Sequence, residues 1–255
     1  MEEAPWAGDS GGGFQMTSTA APSFAEIVQR ARAENRLILT EEESKGILGA
    51  NGVPVTETWV ASSAAEAVSI AESLGLPAVL KVSSTEITHK SDIGGVQLNL
   101  GSADKVRSAY DEIIAAAGKN APGSAVQGVS VQPMAPSGGV EVIVGMTRDE
   151  QFGPVLMFGL GGIAVEVLQD VAFRVTPLIP RDAREIVREI KGFKMLTGFR
   201  NLLPVNLDAL EDLILKVSDF ADKNPDLAEM DLNPVMAYSH GALAVDARII
   251  LTPAE

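Results

Sequence analysis

An α+β fold in two subdomains is what the sequence predicts, and three observations predict it. Strand-like and helix-like stretches are interleaved along almost the whole chain. A Pro/Gly break at Ala121-Pro122-Gly123-Ser124 separates a β-α-β-loop-β-α run from a second run richer in strands. The 255 residues, 46 % of them hydrophobic, are enough for one large domain or two small ones, and no fixed-period repeat runs through them. The rest of the composition mainly excludes. A net charge of −14 argues against nucleic-acid binding, which needs a basic surface. The absence of cysteine removes disulfides, thiolate metal sites and a cysteine nucleophile, and fits a reducing, cytoplasmic location. No apolar run reaches the ~18 residues of a membrane helix, and no basic-then-apolar leader opens the chain.

Taken in order, residues 1–22 are small, polar and Gly/Ser/Thr-rich, and are expected to be disordered. Met16 reads as the native start, with residues 1–15 dispensable. Two helices follow over 23–53. The first presents Phe24, Ile27, Val28 and Ala31 on one face. The second opens with the capping-box pair Thr40 and Glu43 and stops at Asn51-Gly52. The first subdomain, 54–125, has a strand Val55–Val60, a helix capped by Ser63 with Glu66 and ended by Gly75, and a strand to Lys81. After a loop come a strand Val96–Leu100 and a helix Ala103–Ala117 closed by Gly118. The second subdomain, 126–255, has strands Val126–Met134, Val140–Met146, Val155–Leu160 and Val171–Leu178. Helices Arg181–Ile190 and Leu207–Phe220 follow, and a hairpin turns at Ser239-His240-Gly241.

Two stretches carry chemistry. In Pro77–Leu100, apolar residues around Lys81 read as a buried strand that delivers a point charge suited to phosphate oxygens. The loop beyond it holds His89, whose neutral imidazole is a nucleophile able to carry a phosphoryl group. Gly94-Gly95 lets backbone N–H groups approach an anion. The same residues are compatible with a solvated loop between two strands. In the hairpin, strand alternation puts Asp231 and Asn233 on one face. Asp246 joins them if Tyr238 pairs with Gly241, or if Ser239 pairs with Ala242, but not in an odd-shifted register. Two carboxylates and an amide oxygen are hard ligands fitting Mg²⁺; they also fit a solvated acidic face.

Thr88-His89-Lys90-Ser91-Asp92-Ile93-Gly94-Gly95-Val96 resembles the THKSDxGGV loop of the ATP-grasp (beta) subunit of ADP-forming acyl-CoA synthetases, relatives of the succinyl-CoA synthetase β chain. Glu229 to Pro234 and Ala244 to Arg248 are similar to that family's metal hairpin, and the likeness runs from about Leu39 to Leu251. The resemblance implies an ATP-grasp fold with a nucleotide cleft between the subdomains. It implies Lys81 on the nucleotide's phosphates, Asn233 and Asp246 on Mg²⁺, and Asp231 toward a phosphorylated His89. Gln132, Pro133 and Met134 would form the hinge strand offering backbone groups to adenine. Pro133 has no N–H, which leaves the Met134 N–H and the Gln132 and Pro133 carbonyls; Met134 could equally be core. Glu141 resembles an acid near the nucleotide, or is an outward strand residue.

Gly161-Gly162 reads as a phosphate contact or a tight turn, and Arg174 as a partner of phosphate or of Glu166. Asn201 departs from the family's glycine, Asn206 caps a helix in place of aspartate, and His240 is a solvated turn residue. The implied activity is that of an acid–thiol ligase subunit using ATP/ADP and Mg²⁺, with a CoA-binding alpha subunit in a hetero-oligomer. Another ATP-grasp carboxylate ligase, or a nucleotide-sensing module of a larger regulator, is the alternative.

Overall fold

Ser23 and Thr40 each close a capping box, with Glu26 and Glu43, and so start helices α1 (Phe24–Ala33) and α2 (Glu41–Ala50) where the sequence says they should. The computed structural model describes residues 22–87, 89–162, 169–200 and 202–253. The segment expected to be disordered, up to residue 21, lies outside them, as do Thr88, Glu166 and Asn201.

A small antiparallel sheet comes next, from β1 (Trp59–Ala61), β2 (Ala78–Ser83), β3 (Val96–Leu100) and β4 (Gly128–Pro133), in the order β1-β4-β2-β3. Helices α3 (Ala64–Leu74) and α4 (Ala103–Asn120) cover one face. Leu80, Val82, Val106, Ile113 and Val131 form the core between them. Gly118 does not end α4, because burial of Ala109, Ile113 and Ala117 outweighs the roughly 1 kcal/mol a helical glycine costs. Of the expected strand Val55–Val60 only Trp59 and Val60 pair with β4, and the pairing runs on to Ala61; Val55 instead makes a single bridge to Ala244.

The large sheet follows the order β10-β8-β5-β6-β7, with β9 also paired to β8. Its strands are β5 (Val140–Asp149), β6 (Gly153–Leu160), β7 (Val171–Val175), β8 (Leu227–Tyr238), β9 (Gly241–Ala244) and β10 (Arg248–Leu251). Helices α5 (Pro180–Glu189), the unanticipated short α6 (Phe193–Leu196) and α7 (Leu207–Lys223) supply its core with Ile186, Leu196, Leu210 and Phe220.

The expected division at residue 125 is corrected in two respects. β4 pairs with β1 and β2, so the first unit extends to Pro133. Helices α1 and α2 are not a separate piece, since Ile27, Val28, Ile47 and Leu48 belong to the large core. Leu37–Leu39 runs beside β10, with the Leu39 N–H donating to the Ile249 carbonyl and the Leu251 N–H to that of Leu37. That pairing sets the N-terminus of α2 beside the ribbon of β8 and β10, on the side facing the small sheet.

Candidate functional site

Strand alternation decides where Lys81 points. Ala78, Leu80 and Val82 enter the small core, so Val79, Lys81 and Ser83 face the large unit. Lys81 sits within the strand rather than at its end, and is only 5 % exposed. Its Nζ donates to Glu41 Oε1 and to Asp246 Oδ2, both at 2.7 Å.

Glu41 is the residue that sequence reasoning passed over. It is the first residue of α2, held there by the Thr40 cap and by Arg36, which grips Glu43 through both guanidinium nitrogens. Its carboxylate accepts three ammonium groups: Lys81 at 2.7 Å, Lys45 at 2.8 Å and Lys90 at 2.6 Å. Burial alone pushes this carboxyl up, but the attraction of Lys81, Lys45 and Lys90 outweighs it and holds the group well below the usual range. Burial also brings the Lys45 ammonium down to about 8, against the pull of Glu41. Lys81 goes the other way: burial lowers it, but Glu41 and Asp246 together raise it. The usable signal was the i, i+4 pair Glu41/Lys45 one turn ahead of the apolar Ile47 and Leu48.

The ribbon has the first of the two registers that keep the acids together. Tyr238 pairs with Gly241, Val235 with Ala244, and the Val245 N–H donates to the Pro234 carbonyl. Beyond a short unpaired stretch, Arg248 pairs with Asp231 in the same frame. Met230 and Leu232 point into the large core while Glu229, Asp231 and Asn233 lie on the opposite face. Burial raises the Asp231 carboxyl, with Arg248 opposing and Asp246 and Glu229 adding to the shift.

These residues meet the His89 loop across a cavity of about 470 Å³. One wall is Asp231, Asn233, Asp246 and Arg248; the other is His89, Lys90 and Asp92, with Glu41 between them. His89 is exposed, and Ile87 and Ile93 on either side of the loop tip are packed in the small core. Four predicted site residues, His89, Asp231, Asn233 and Asp246, therefore share one chamber. Lys81 is bonded to the Asp246 side of it.

The other predicted positions fall elsewhere. The Gly94 and Gly95 N–H groups donate inside their own loop, to the carbonyls of Ser91 and Lys90. What the loop needs from these glycines is a positive φ of 76° at Gly94 and no side chain at Gly95. The Met134 N–H, expected to face adenine, donates to the Pro77 carbonyl. β1 stops opposite Val131, and among the described residues no strand pairs with Gln132 and Pro133 on that side. None of Gln132, Pro133, Met134 or Glu141 lines the cavity. The buried Gln132 side chain nonetheless joins the network, its Oε1 accepting from Lys45 Nζ at 2.6 Å. Glu141 lies against the Gly161-Gly162 turn, its carbonyl accepting from the Gly161 N–H. Arg174 pairs with Glu189 at 2.6 Å, Asn206 caps α7, and His240 stacks on Tyr238 in the hairpin turn.

The donor set suits Mg²⁺. Asn233 and Asp246 offer oxygen only, Asp246 keeps 29 % side-chain exposure, and its contact with Lys81 uses one oxygen. The described residues hold no cluster of three metal-binding side chains, and Mg²⁺ on a nucleotide needs none, since phosphates and water complete its shell.

Comparison with known proteins bears on the same residues. A family model described as an ATP-grasp domain matches residues 30–251. The beta subunit of ADP-forming acetate–CoA ligase I from Pyrococcus furiosus is 48 % identical over 226 residues, covering 89 % of this chain and 97 % of that one. The ADP-forming acetate–CoA ligase I of Archaeoglobus fulgidus is 44 % identical over 232 residues, 88 % of this chain but 34 % of that longer protein. Among solved structures, the dinucleotide-forming acetyl-coenzyme A synthetase 1 of Korarchaeum cryptofilum matches with a TM-score of 0.79 at 44 % identity, covering 89 % of this chain and 99 % of that one. That structure is a complex with coenzyme A and Mg-AMPPCP, its phosphohistidine segment pointing towards the nucleotide binding site. Among the described residues no helix is long and apolar enough to cross a membrane.

Proposed function

We infer the function from one premise: the chain belongs to the ATP-grasp family and, within it, to the beta subunits of ADP-forming acyl-CoA synthetases. It is the nucleotide-binding subunit of an acid–thiol ligase that interconverts acyl-CoA, ADP and phosphate with carboxylate, ATP and CoA. The observation that carries the site assignment is the shared chamber, where an exposed loop imidazole faces the acids of the ribbon.

In the direction of ATP formation, a nitrogen of His89 attacks the phosphorus of a phosphohistidine on the partner. One N–P bond forms as the other breaks. The β-phosphate oxygen of ADP then attacks the same phosphorus, the His89 N–P bond breaks, and ATP leaves. Phosphoryl transfer of this kind needs placement and charge neutralisation more than covalent help. Lys81 neutralises phosphate oxygens, exchanging its contact with Asp246 for them. Asn233 and Asp246 hold Mg²⁺, which supplies further neutralisation when bound. Asp231 accepts a hydrogen bond from the imidazole and steadies its charged, phosphorylated form.

The CoA site and the acceptor of the acyl group lie on a partner subunit, in keeping with the longer Archaeoglobus relative, of which this chain spans about a third. A cytoplasmic setting accords with a chain free of cysteine. The test is to incubate the chain and its partner with γ-labelled ATP and Mg²⁺. Label that is acid-labile and base-stable is expected on His89 and should vanish in His89→Ala. Equal labelling in that variant overturns the assignment.

A further inference from the structure

The cavity contains one contact that the transfer scheme does not use. The loop is fixed at both ends, by Ile87 and Ile93 in the small core and by Asn120 Nδ2 donating to the Ile93 carbonyl. Its tip, residues 89–92, is otherwise folded on itself, with the Asp92 N–H on the His89 carbonyl and the Gly95 N–H on the Lys90 carbonyl. Among the described residues, the tip's ion pairs with the rest of the protein are all made by Lys90. Its Nζ is 2.6 Å from Glu41 Oε2 and 4.0 Å from Asp246 Oδ2. The Lys90 side chain is 17 % exposed and Glu41 only 4 %, so the contact lies out of reach of most screening. Glu41 belongs to α2 and hence to the large unit; Lys90 belongs to the small one.

We propose that Glu41 and Lys90 form the latch that docks the His89 loop, making both of them positioning residues for phosphoryl transfer to the nucleotide. The proposal rests on the function inferred above. The latch is one carboxylate with two occupied oxygens: Oε1 on Lys81 and Lys45, Oε2 on Lys90. Phosphate drawing Lys81 away from Asp246 leaves Oε2 of Glu41 on Lys90, so the loop stays docked while nucleotide occupies the cavity. Release of Lys90 frees the tip to turn towards the partner, while the anchors at Ile87 and Ile93 stay in place. Arginine, with the same charge and longer reach, keeps the latch; an apolar residue of similar length does not.

Lys90→Met is the main variant, because Glu41→Gln would leave Lys81 and Lys45 without their shared anion and endanger the fold. Backbone hydrogen exchange over residues 86–95 of the whole chain is expected to quicken about tenfold in Lys90→Met, the scale set by one charge-assisted hydrogen bond, and to return to the parent rate in Lys90→Arg. In the complex with its partner, single-turnover transfer from phosphorylated His89 to ADP should slow about tenfold in Lys90→Met, with the Kd for ADP changed by less than about twofold. Unchanged loop exchange in Lys90→Met, or a slowed turnover that Lys90→Arg does not restore, overturns the latch. Exchange needs no phosphoryl transfer, so it reports on the latch even if His89 takes no label, an outcome that would instead remove the functional reading.

Discussion

At the scale of single residues, the legible positions were those whose chemistry and neighbours form a motif. His89, Lys81, Asp231, Asn233 and Asp246 stood out, and the structure groups them at one cleft. Glu41 and Lys45 did not, and Lys90 stood in the loop motif without a role. An acid in the first turn of a helix reads as an ordinary complement to the helix dipole, and nothing local says that two of its three lysine partners lie 40 and 49 positions away in sequence. The glycines are ambiguous for a related reason. A glycine pair permits an anion site, but its N–H groups are free only if the loop does not use them, and here Ser91 and Lys90 do. Asp231 has a consequence of its own for stability. Burial raises its carboxyl, so the folded state binds this proton more readily than the unfolded state does. The ionised form therefore costs stability above the folded value, and the cost fades as pH falls through it toward the unfolded value of about 3.8. Asp231→Asn is expected to melt a few degrees higher than the parent at pH 7, with the difference closing as the pH approaches 4. A gap that stayed constant with pH would mean that Asp231 is not a strained carboxylate.

Elements were easiest to read where the cause was local. The Thr40–Glu43 capping box and the Asn206 cap follow from residues within a few positions of one another, and the hairpin adopts one of the two frames that the sequence left open. Placement of β4 did not. Its sequence reads as a strand in either subdomain, and pairing with β1 and β2 decides the matter through contacts some 50 to 70 residues apart. The loop between β2 and β3 depends on one missing atom. A Cβ on Gly95 would lie 2.7 Å from Val82 Cγ1 and 2.8 Å from the Lys90 carbonyl oxygen, both held by the fold. Gly95→Ala should cost about 1–3 kcal/mol of stability, measured by urea unfolding. It should also impair phosphoryl transfer through His89 more than it weakens nucleotide binding. Equal losses of both would place the damage in the sheet rather than in the loop.

Over the whole molecule, the small unit meets the large one through charge rather than through a shared apolar core. Glu41 and Asp246 on one side face Lys81 and Lys90 on the other, and the two hydrophobic clusters remain separate. The chain spans about a third of the longer Archaeoglobus relative, and on the function proposed above the CoA site lies on a partner, so acyl-CoA synthesis is expected only from the two together. Activity should appear on adding a CoA-binding subunit, and steady turnover by the purified chain would refute the division of labour. The lacing of Leu37–Leu39 to Ile249–Leu251 bears on how the protein is made. A ribosome delivers α1 and α2 well before β8 and β10. The small sheet can assemble while those strands are still to come, but the two helices must wait, hydrated, for the strands they pack beside. The charged cleft needs both α2 and the ribbon, so it can be completed only after β10 has emerged.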